Sequence, residues 1–402
     1  ETHHMPSRSL ISLAIVVLVA AAGCGPSGTQ ETSPANQGGA AGAKGGAQTR
    51  TSDVAFYGLA VVDAQTAFVY GIHEARSDSV IMKTSDGGAR WTAVLHAAGQ
   101  ELVGIDFTDA ANGAALSDTG VVYVTADGGQ TWEVSIDPRA FVKSPTAGAP
   151  TDNADGAEFY GVFFLDEANG WAVGGRQQTT GGGQRATPSF VTRPVALRTT
   201  NGGKTWAEAG FGPEVPAAPL TRVFFVDARV GWAIGGERDD DAPGGILLKT
   251  IDGGAAWTPV GTHVAQTPTD VFFADPSRGW LLGQTEDEAT GDAGPSEILA
   301  TKDGGATWQT QAELPASLYA VRFADAANGW AIGDAGFIYH TTDGGRTWTE
   351  QGNQDLANGQ KPGVPGGEHI GDDLPVFLGF TLLAPGRGWA SSDEGVYAYR
   401  RP

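Results

Sequence analysis

The chain has 402 residues, enough for two or three ordinary domains, and sets 25 basic against 46 acidic side chains for a formal charge of −21. That acidity excludes broad binding of a phosphate backbone by the surface as a whole. Gly at 60 and Trp at 11, with Met at only 2, point away from a helical protein and toward an all-β chain with many tight turns.

The first element in chain order is outside the fold. After Met5 come Arg8 and an apolar run from Leu10 to Ala22, closed by Gly23-Cys24. The run is shorter than the roughly 20 residues a relaxed membrane span needs, and a charged start before a short apolar core describes a secretion signal. The ending resembles a lipobox, with Ala21 where a larger apolar residue is usual. Residues 1–24 are therefore expected to be a lipoprotein-type signal, with Cys24 lipidated and the mature chain facing the periplasm or cell surface. Ordinary cleavage nearby, leaving Cys24 a plain thiol, is the alternative. Cys24 is the single Cys, so no internal disulfide can form. Residues 25–50 are small and polar and cannot bury enough apolar surface to offset chain entropy, so a flexible tether is expected there.

From 51 to 402 two repeats interlock. An octet returns six times: Thr84–Trp91, Thr125–Trp132, Thr199–Trp206, Thr250–Trp257, Thr301–Trp308 and Thr341–Trp348. Each copy keeps its Thr, two Gly and terminal Trp. The third residue is Asp86, Asp127, Asn201, Asp252, Asp303 or Asp343. Asp or Asn before Gly-Gly favours a turn, because Gly reaches positive φ without steric cost and the side-chain oxygen can accept the turn's own N–H groups. The terminal residues Trp91, Trp132, Trp206, Trp257, Trp308 and Trp348 are expected to bury their rings between sheets, worth roughly 3–5 kcal/mol each on truncation. These are fold-holding roles.

The second repeat is an apolar strand, an Asp, a short turn and an aromatic opening the next strand: Asp63 to Phe68, Asp166 to Trp171, Asp227 to Trp232, Asp275 to Trp280 and Asp325 to Trp330. Asp109 to Ala114 and Ala384 to Trp389 each lose half of the signature. Seven such units, each predicting four short strands, give an all-β, seven-bladed β-propeller over 51–402. The seventh unit stops after Val396–Arg400 with no octet, so its fourth strand is either missing or donated by residues just before Phe56.

The octet matches the Asp-box pattern of BNR-repeat propellers. Paired with the Asp-x-x-x-Gly-Trp-x-x-Gly strand, the chain resembles the photosystem II assembly/stability factor family of seven-bladed propellers over about residues 54–402. The resemblance implies a non-enzymatic scaffold holding a protein partner in the membrane or envelope. Asp boxes also occur in sialidases and xyloglucan-degrading hydrolases, so a glycan-binding or glycan-hydrolysing propeller is the alternative.

No enzyme motif supports that alternative. The nearest match to a sialidase Arg-Ile-Pro strand is Thr192-Arg193-Pro194, without the Ile and inside the third unit. No His or Cys spacing suggests zinc, the Gly-Gly pairs lie in hairpins rather than phosphate loops, and His340 reads as a strand-face residue. The acidic runs Glu237–Asp241 and Glu286–Glu288 lack the spacing of a calcium loop. No catalytic residue, cofactor or metal is expected, and the propeller is expected to be a monomer. One insertion stands apart: Arg176, Arg185, Arg193 and Arg198 occur together with no acid between Gly175 and Leu197. This local concentration of guanidinium groups is the candidate partner-binding site, suited to carboxylate or phosphate groups. Arg222, Arg229, Arg278, Arg322 and Arg387 also recur beside the repeat's strands.

Overall fold

The structure is a computed structural model that describes residues 54–73, 78–137, 157–180, 189–236, 245–261, 267–286, 293–333, 337–350, 377–384, 387–392 and 395–400. The signal, the tether and the acidic run at 237–241 lie outside the described residues. So do 287–288 of the second acidic run and the segment proposed to donate a closing strand. Every helix or strand assigned among the described residues is a strand.

Seven sheets follow one another along the chain. Blade 1 shows the pattern: Val54–Val61, Ala67–His73, Asp78–Thr84 and Thr92–Ala97 pair in order, each antiparallel to the next. Blades 2 to 6 open with first strands Leu102–Phe107, Ala157–Phe164, Leu220–Phe225, Thr267–Phe273 and Leu318–Phe323. The seventh sheet has three strands, Phe377–Ala384, Arg387–Ser392 and Gly395–Arg400. The expectation of a seven-bladed propeller is thus corrected, among the described residues, to six complete blades and one three-stranded sheet. The three-stranded sheet lies beside the first strands of both blade 6 and blade 1.

Within a blade, the second strand is the most completely buried and the fourth the most exposed. The second strands Gly231–Gly235 and Gly329–Gly333 are buried throughout, whereas the fourth strand Thr349–Glu350 is exposed. Neighbouring blades cover both faces of the inner strands, which therefore read as nearly continuous apolar runs. A register shift interrupts the pairing of first with second strand in all seven sheets, as at Leu220/Arg222 and Leu318/Ala320. Such bulges add local twist.

Two departures from regularity matter for the surface. After the short fourth strand of blade 3, Gly210–Phe211 joins the outer edge of blade 4 in parallel with Ala256–Trp257, making that sheet five-stranded. In blade 3 the second and third strands, Gly170–Thr180 and Ser189–Thr199, are 11 residues each, against 5 residues for Gly231–Gly235 in blade 4. The extra length carries this hairpin about 20 Å beyond the common blade height.

Candidate functional site

The recurring acids close turns. In the six octets the Thr hydroxyl donates to the Asp or Asn Oδ1 at 2.8–3.0 Å, and the N–H of the second Gly donates to the same Thr Oγ1 at 2.9–3.0 Å. The first Gly sits at φ of 69–77° and the second at 81–94°. Its first-Gly N–H also donates to a carbonyl of the turn between strands 1 and 2 of the same blade, at 2.7–2.9 Å, so the two repeats are tied together. Asp127, Asp303 and Asp343 are each held down to a pKa of about 2. The Oγ1–H of Thr131, Thr307 and Thr347 is the main cause, followed by the same residue's N–H. Asn201 keeps the arrangement: its Oδ1 accepts Thr205 N–H at 3.0 Å, and its amide donates to Thr205 Oγ1 at 2.9 Å. The Asp of the second repeat also accepts two turn N–H groups, as Asp63 does from Gln65 and Thr66 at 2.7 and 2.8 Å.

The indoles divide into two roles. Those opening second strands, Trp171, Trp232, Trp280 and Trp330, are fully buried. Among the octet indoles only Trp257 is buried, while Trp91, Trp132, Trp206, Trp308 and Trp348 are half-buried. Burial between sheets, expected for all six, is corrected for these five. They sit at the outer rim of the seam, and all of them but Trp91, together with the buried Trp257, meet an inner Phe edge-on. Phe107–Trp132, Phe164–Trp206, Phe225–Trp257, Phe273–Trp308 and Phe323–Trp348 have centroids 5.8–6.0 Å apart and planes at 79–87°. At four seams the second-strand aromatic of one blade stacks on that Phe of the next: Phe68 on Phe107, Trp171 on Phe225, Trp232 on Phe273 and Trp280 on Phe323, at 3.5–3.6 Å. A three-ring group therefore joins each of these blade pairs, two rings nearly parallel and face to face and the third edge-on, the edge-on contact being one that aromatic quadrupoles favour.

His340, read from sequence as a strand-face residue, holds the position just before the octet Thr. The structure gives that position a function. Lys83 Nζ donates to Gly128 O and Lys249 Nζ to Gly304 O, each at 3.1 Å in the following blade. Both ammonium groups also lie 5.0–5.1 Å over a ring, Phe68 and Trp232. Arg198 Nη1 reaches Asp252 O at 3.4 Å. Gly304 shows why the octet tolerates no side chain here: at φ +73° a Cβ would lie 2.7 Å from Pro276 O and collide with Lys249 Nζ.

The arginine candidates separate accordingly. Arg176 and Arg193 face each other directly across the long hairpin of blade 3. Arg176 is ion-paired to Glu208 at 3.0 Å, an acid from the fourth strand that lies outside the insertion and was missed for that reason. Arg193 is exposed and makes no hydrogen bond or ion pair among the described residues. Arg198 belongs to the blade 3–4 seam, and Arg185 lies outside the described residues. The other recurring arginines do not share one face. Arg322 is buried against Asp270 of the preceding blade, Arg222 donates Nε to Thr269 O of the following blade at 3.3 Å, and Arg229 and Arg278 are exposed at turns. His340 is buried against Trp330 with centroids 4.4 Å apart.

One buried acid went unread in the sequence. Asp106, within the apolar first strand of blade 2, accepts the Phe164 N–H of blade 3 at 2.5 Å, and its Oδ1 has no partner among the described residues. Burial pushes its carboxyl up to about 7 against the pull of the Phe164 and Phe107 N–H groups. An acid inside an otherwise apolar strand was the available signal.

Blades in series, joined by shared aromatics and lacking any helix among the described residues, define the class: a β-propeller. Within that class, residues 249–367 match the family model described as photosynthesis system II assembly factor YCF48. The chain is 34% identical over 98 residues to the photosystem II assembly lipoprotein Ycf48 of Synechococcus sp. (strain CC9902), covering 23% of this chain and 26% of that protein. It is 24% identical over 270 residues to the chloroplastic photosystem II stability/assembly factor HCF136 of Arabidopsis thaliana, covering 65% and 58%. The chain thus spans under two thirds of either relative. Among solved structures, YCF48 bound to D1 peptide is similar at a TM-score of 0.55 and 15% identity, covering 88% of this chain and 96% of that one. An ancestral GH74 enzyme is similar at 0.55 and 12%, covering 88% and 46%. At these identities the structural likeness speaks for the fold.

Proposed function

We propose that this chain is a non-enzymatic scaffold that holds a membrane or envelope protein during assembly or stabilisation of a complex. In this reading the octets are Asp boxes and the three-stranded sheet is the seventh blade, closing the ring between blades 6 and 1. The chain is exported, Cys24 carries the lipid anchor, and the propeller works as a monomer. The observation that carries the proposal is the sequence match to photosystem II assembly factors, which runs from the octet of blade 4 through blades 5 and 6 in the family model and over 270 residues in HCF136. The spending of the octet carboxylates on their own turns supports it, since a glycosidase would need two of its acids free in one cleft. The likeness to a GH74 enzyme is of fold alone and adds no second reading.

The partner is proposed to dock on the long hairpin of blade 3, where Arg193 is uncommitted and Arg176 can exchange Glu208 for a partner carboxylate. In-cell crosslinking and mass spectrometry test this with wild type, an Arg176→Ala/Arg185→Ala/Arg193→Ala variant, and Arg198→Ala as a seam control. A specific membrane protein captured by wild type and by the seam control, but lost in the triple variant, is the expected result. Equal capture by the triple variant moves the docking site elsewhere. No specific protein in any sample overturns the scaffold reading.

A further inference from the structure

The seam between blades 5 and 6 lacks a part that three other seams have. Where Lys83, Arg198 and Lys249 cross to an octet carbonyl of the next blade, Ala300 stands at the same register. A cleft of about 400 Å³ opens there, lined by residues of both blades. Its floor is Trp280. The Trp280 indole N–H turns to Gln311 Oε1 at 3.2 Å, whereas those of Trp171 and Trp232 reach Gly253 O and Gly304 O at 2.9 and 3.0 Å. Gln311 Nε2 completes the relay to Gly344 O at 3.3 Å.

The rim is rich in unused donors. Arg278 and Lys302 come from blade 5 and Arg346 from blade 6, and all three are exposed. Lys302 and Arg346 make no side-chain hydrogen bond or ion pair among the described residues, and Arg278 acts only through its field on Asp275. Two acids also line the cleft, but both are engaged. Asp275 Oδ1 accepts the N–H groups of Ser277 and Arg278, each at 2.8 Å. Asp343 takes bonds from Thr341 Oγ1 and from Thr347 N and Oγ1 at 2.7–2.9 Å. In a chain of charge −21, three exposed cations from two blades outnumber the two carboxylates of this cleft, a local inversion of sign. The volume is that of a small-molecule site, and cations reaching from both walls suit an oxyanion able to accept several charge-assisted hydrogen bonds.

We propose that this cleft binds a small oxyanion, a molecule bearing carboxylate or phosphate groups, which bridges blades 5 and 6 in place of the missing cationic staple. The ligand joins Lys302 and Arg278 on one wall to Arg346 on the other. The site is independent of the protein-docking reading and is tested without any partner.

The test is thermal unfolding and calorimetric titration of the full chain with citrate and with inorganic phosphate, at ionic strength matched by sodium chloride. The expected result is saturable binding of at least one of the two, with an unfolding midpoint raised by roughly 2 °C or more well above the dissociation constant. A Lys302→Ala/Arg346→Ala variant is expected to weaken that binding by about tenfold or more. An Ala300→Lys variant, which installs the staple seen at Lys249, is expected to lose the anion response; the double variant decides the matter if the new lysine misfolds the seam. A response no larger than that to sodium chloride, or one unchanged in the double variant, overturns the proposal. So does binding confined to acidic peptides, which would make the cleft a protein-docking feature.

Discussion

The blade 4–5 and blade 2–3 seams are built from the same repeat but held by opposite chemistry. At the first, Trp232 stacks on Phe273 at 3.5 Å and donates to Gly304 O, and Lys249 donates to the same carbonyl. At the second, Ala114 stands where Trp232 stands and Val124 where Lys249 stands. The main polar link left there is the Asp106 carboxyl under the Phe164 N–H, with Ser135 Oγ accepting the Trp206 indole N–H at 2.8 Å farther out. One seam offers indole and ammonium donors to backbone carbonyls. The other offers a buried acid to a backbone amide. A propeller tolerates both because each seam needs only shape and satisfied polar groups, but only the second seam is set by a proton near neutral pH.

The sharpest way to break the comparison is to remove the large ring. Trp232→Ala is expected to cost about 3–5 kcal/mol, because it empties a fully buried site and strips a donor from Gly304 O. Urea unfolding at pH 7 measures it, and a loss under 1 kcal/mol would mean that the stack contributes little beyond filling space.

Asp106→Asn probes the other seam. The folded-state carboxyl is raised to about 7 from an ordinary value near 4, so the unfolded chain releases its proton first as pH rises. This group's contribution is therefore fully present below about pH 4 and is lost between there and about pH 7. An Asn accepts the Phe164 N–H and carries no charge. The variant is expected to be more stable than wild type at pH 8 by on the order of 3 kcal/mol, and to show a flatter stability profile between pH 4 and 8. Parallel profiles for the two proteins would place the titration elsewhere.

The octets provide the smallest effect and the opposite pH sense. Asp127 is depressed to about 2, so its contribution is complete above about pH 4 and disappears as pH falls toward 2. Asp127→Ala is expected to lower the unfolding midpoint at pH 7 and to lose that acid limb. Asp127→Asn is expected to stay close to wild type at pH 7, since Asn201 already works in the same turn. An Asn variant as damaged as the Ala variant would show that the carboxylate charge, rather than the acceptor geometry, closes the turn.

Much of this architecture was legible in the chain. The Thr-x-Asp/Asn-Gly-Gly octet marked each of the six complete blades, and the Asp-to-aromatic interval five of them, because each encodes a turn completed within a few residues. The same local reasoning flagged the seventh unit as short of a strand. It also gathered Arg176, Arg193 and Arg198 into one cluster, which the structure divides between an exposed hairpin and a seam. Glu208 escaped notice because it reaches Arg176 from another strand. It also expected every octet Trp to be buried, although five of the six lie at half-covered seam rims.

The sequence by itself determined the repeat, the all-β class, the strand order within each blade and the chemistry of the turns, since those depend on positive φ at Gly and on acceptors a few residues away. The tertiary structure decided what each register position meets in the next blade. Lys83 and Gly128 are 45 residues apart, and Asp106 and Phe164 are 58 apart. Whether a lysine is a staple, a carboxyl is stranded or an alanine opens a cleft depends on the facing surface. That surface forms only when two blades pack together.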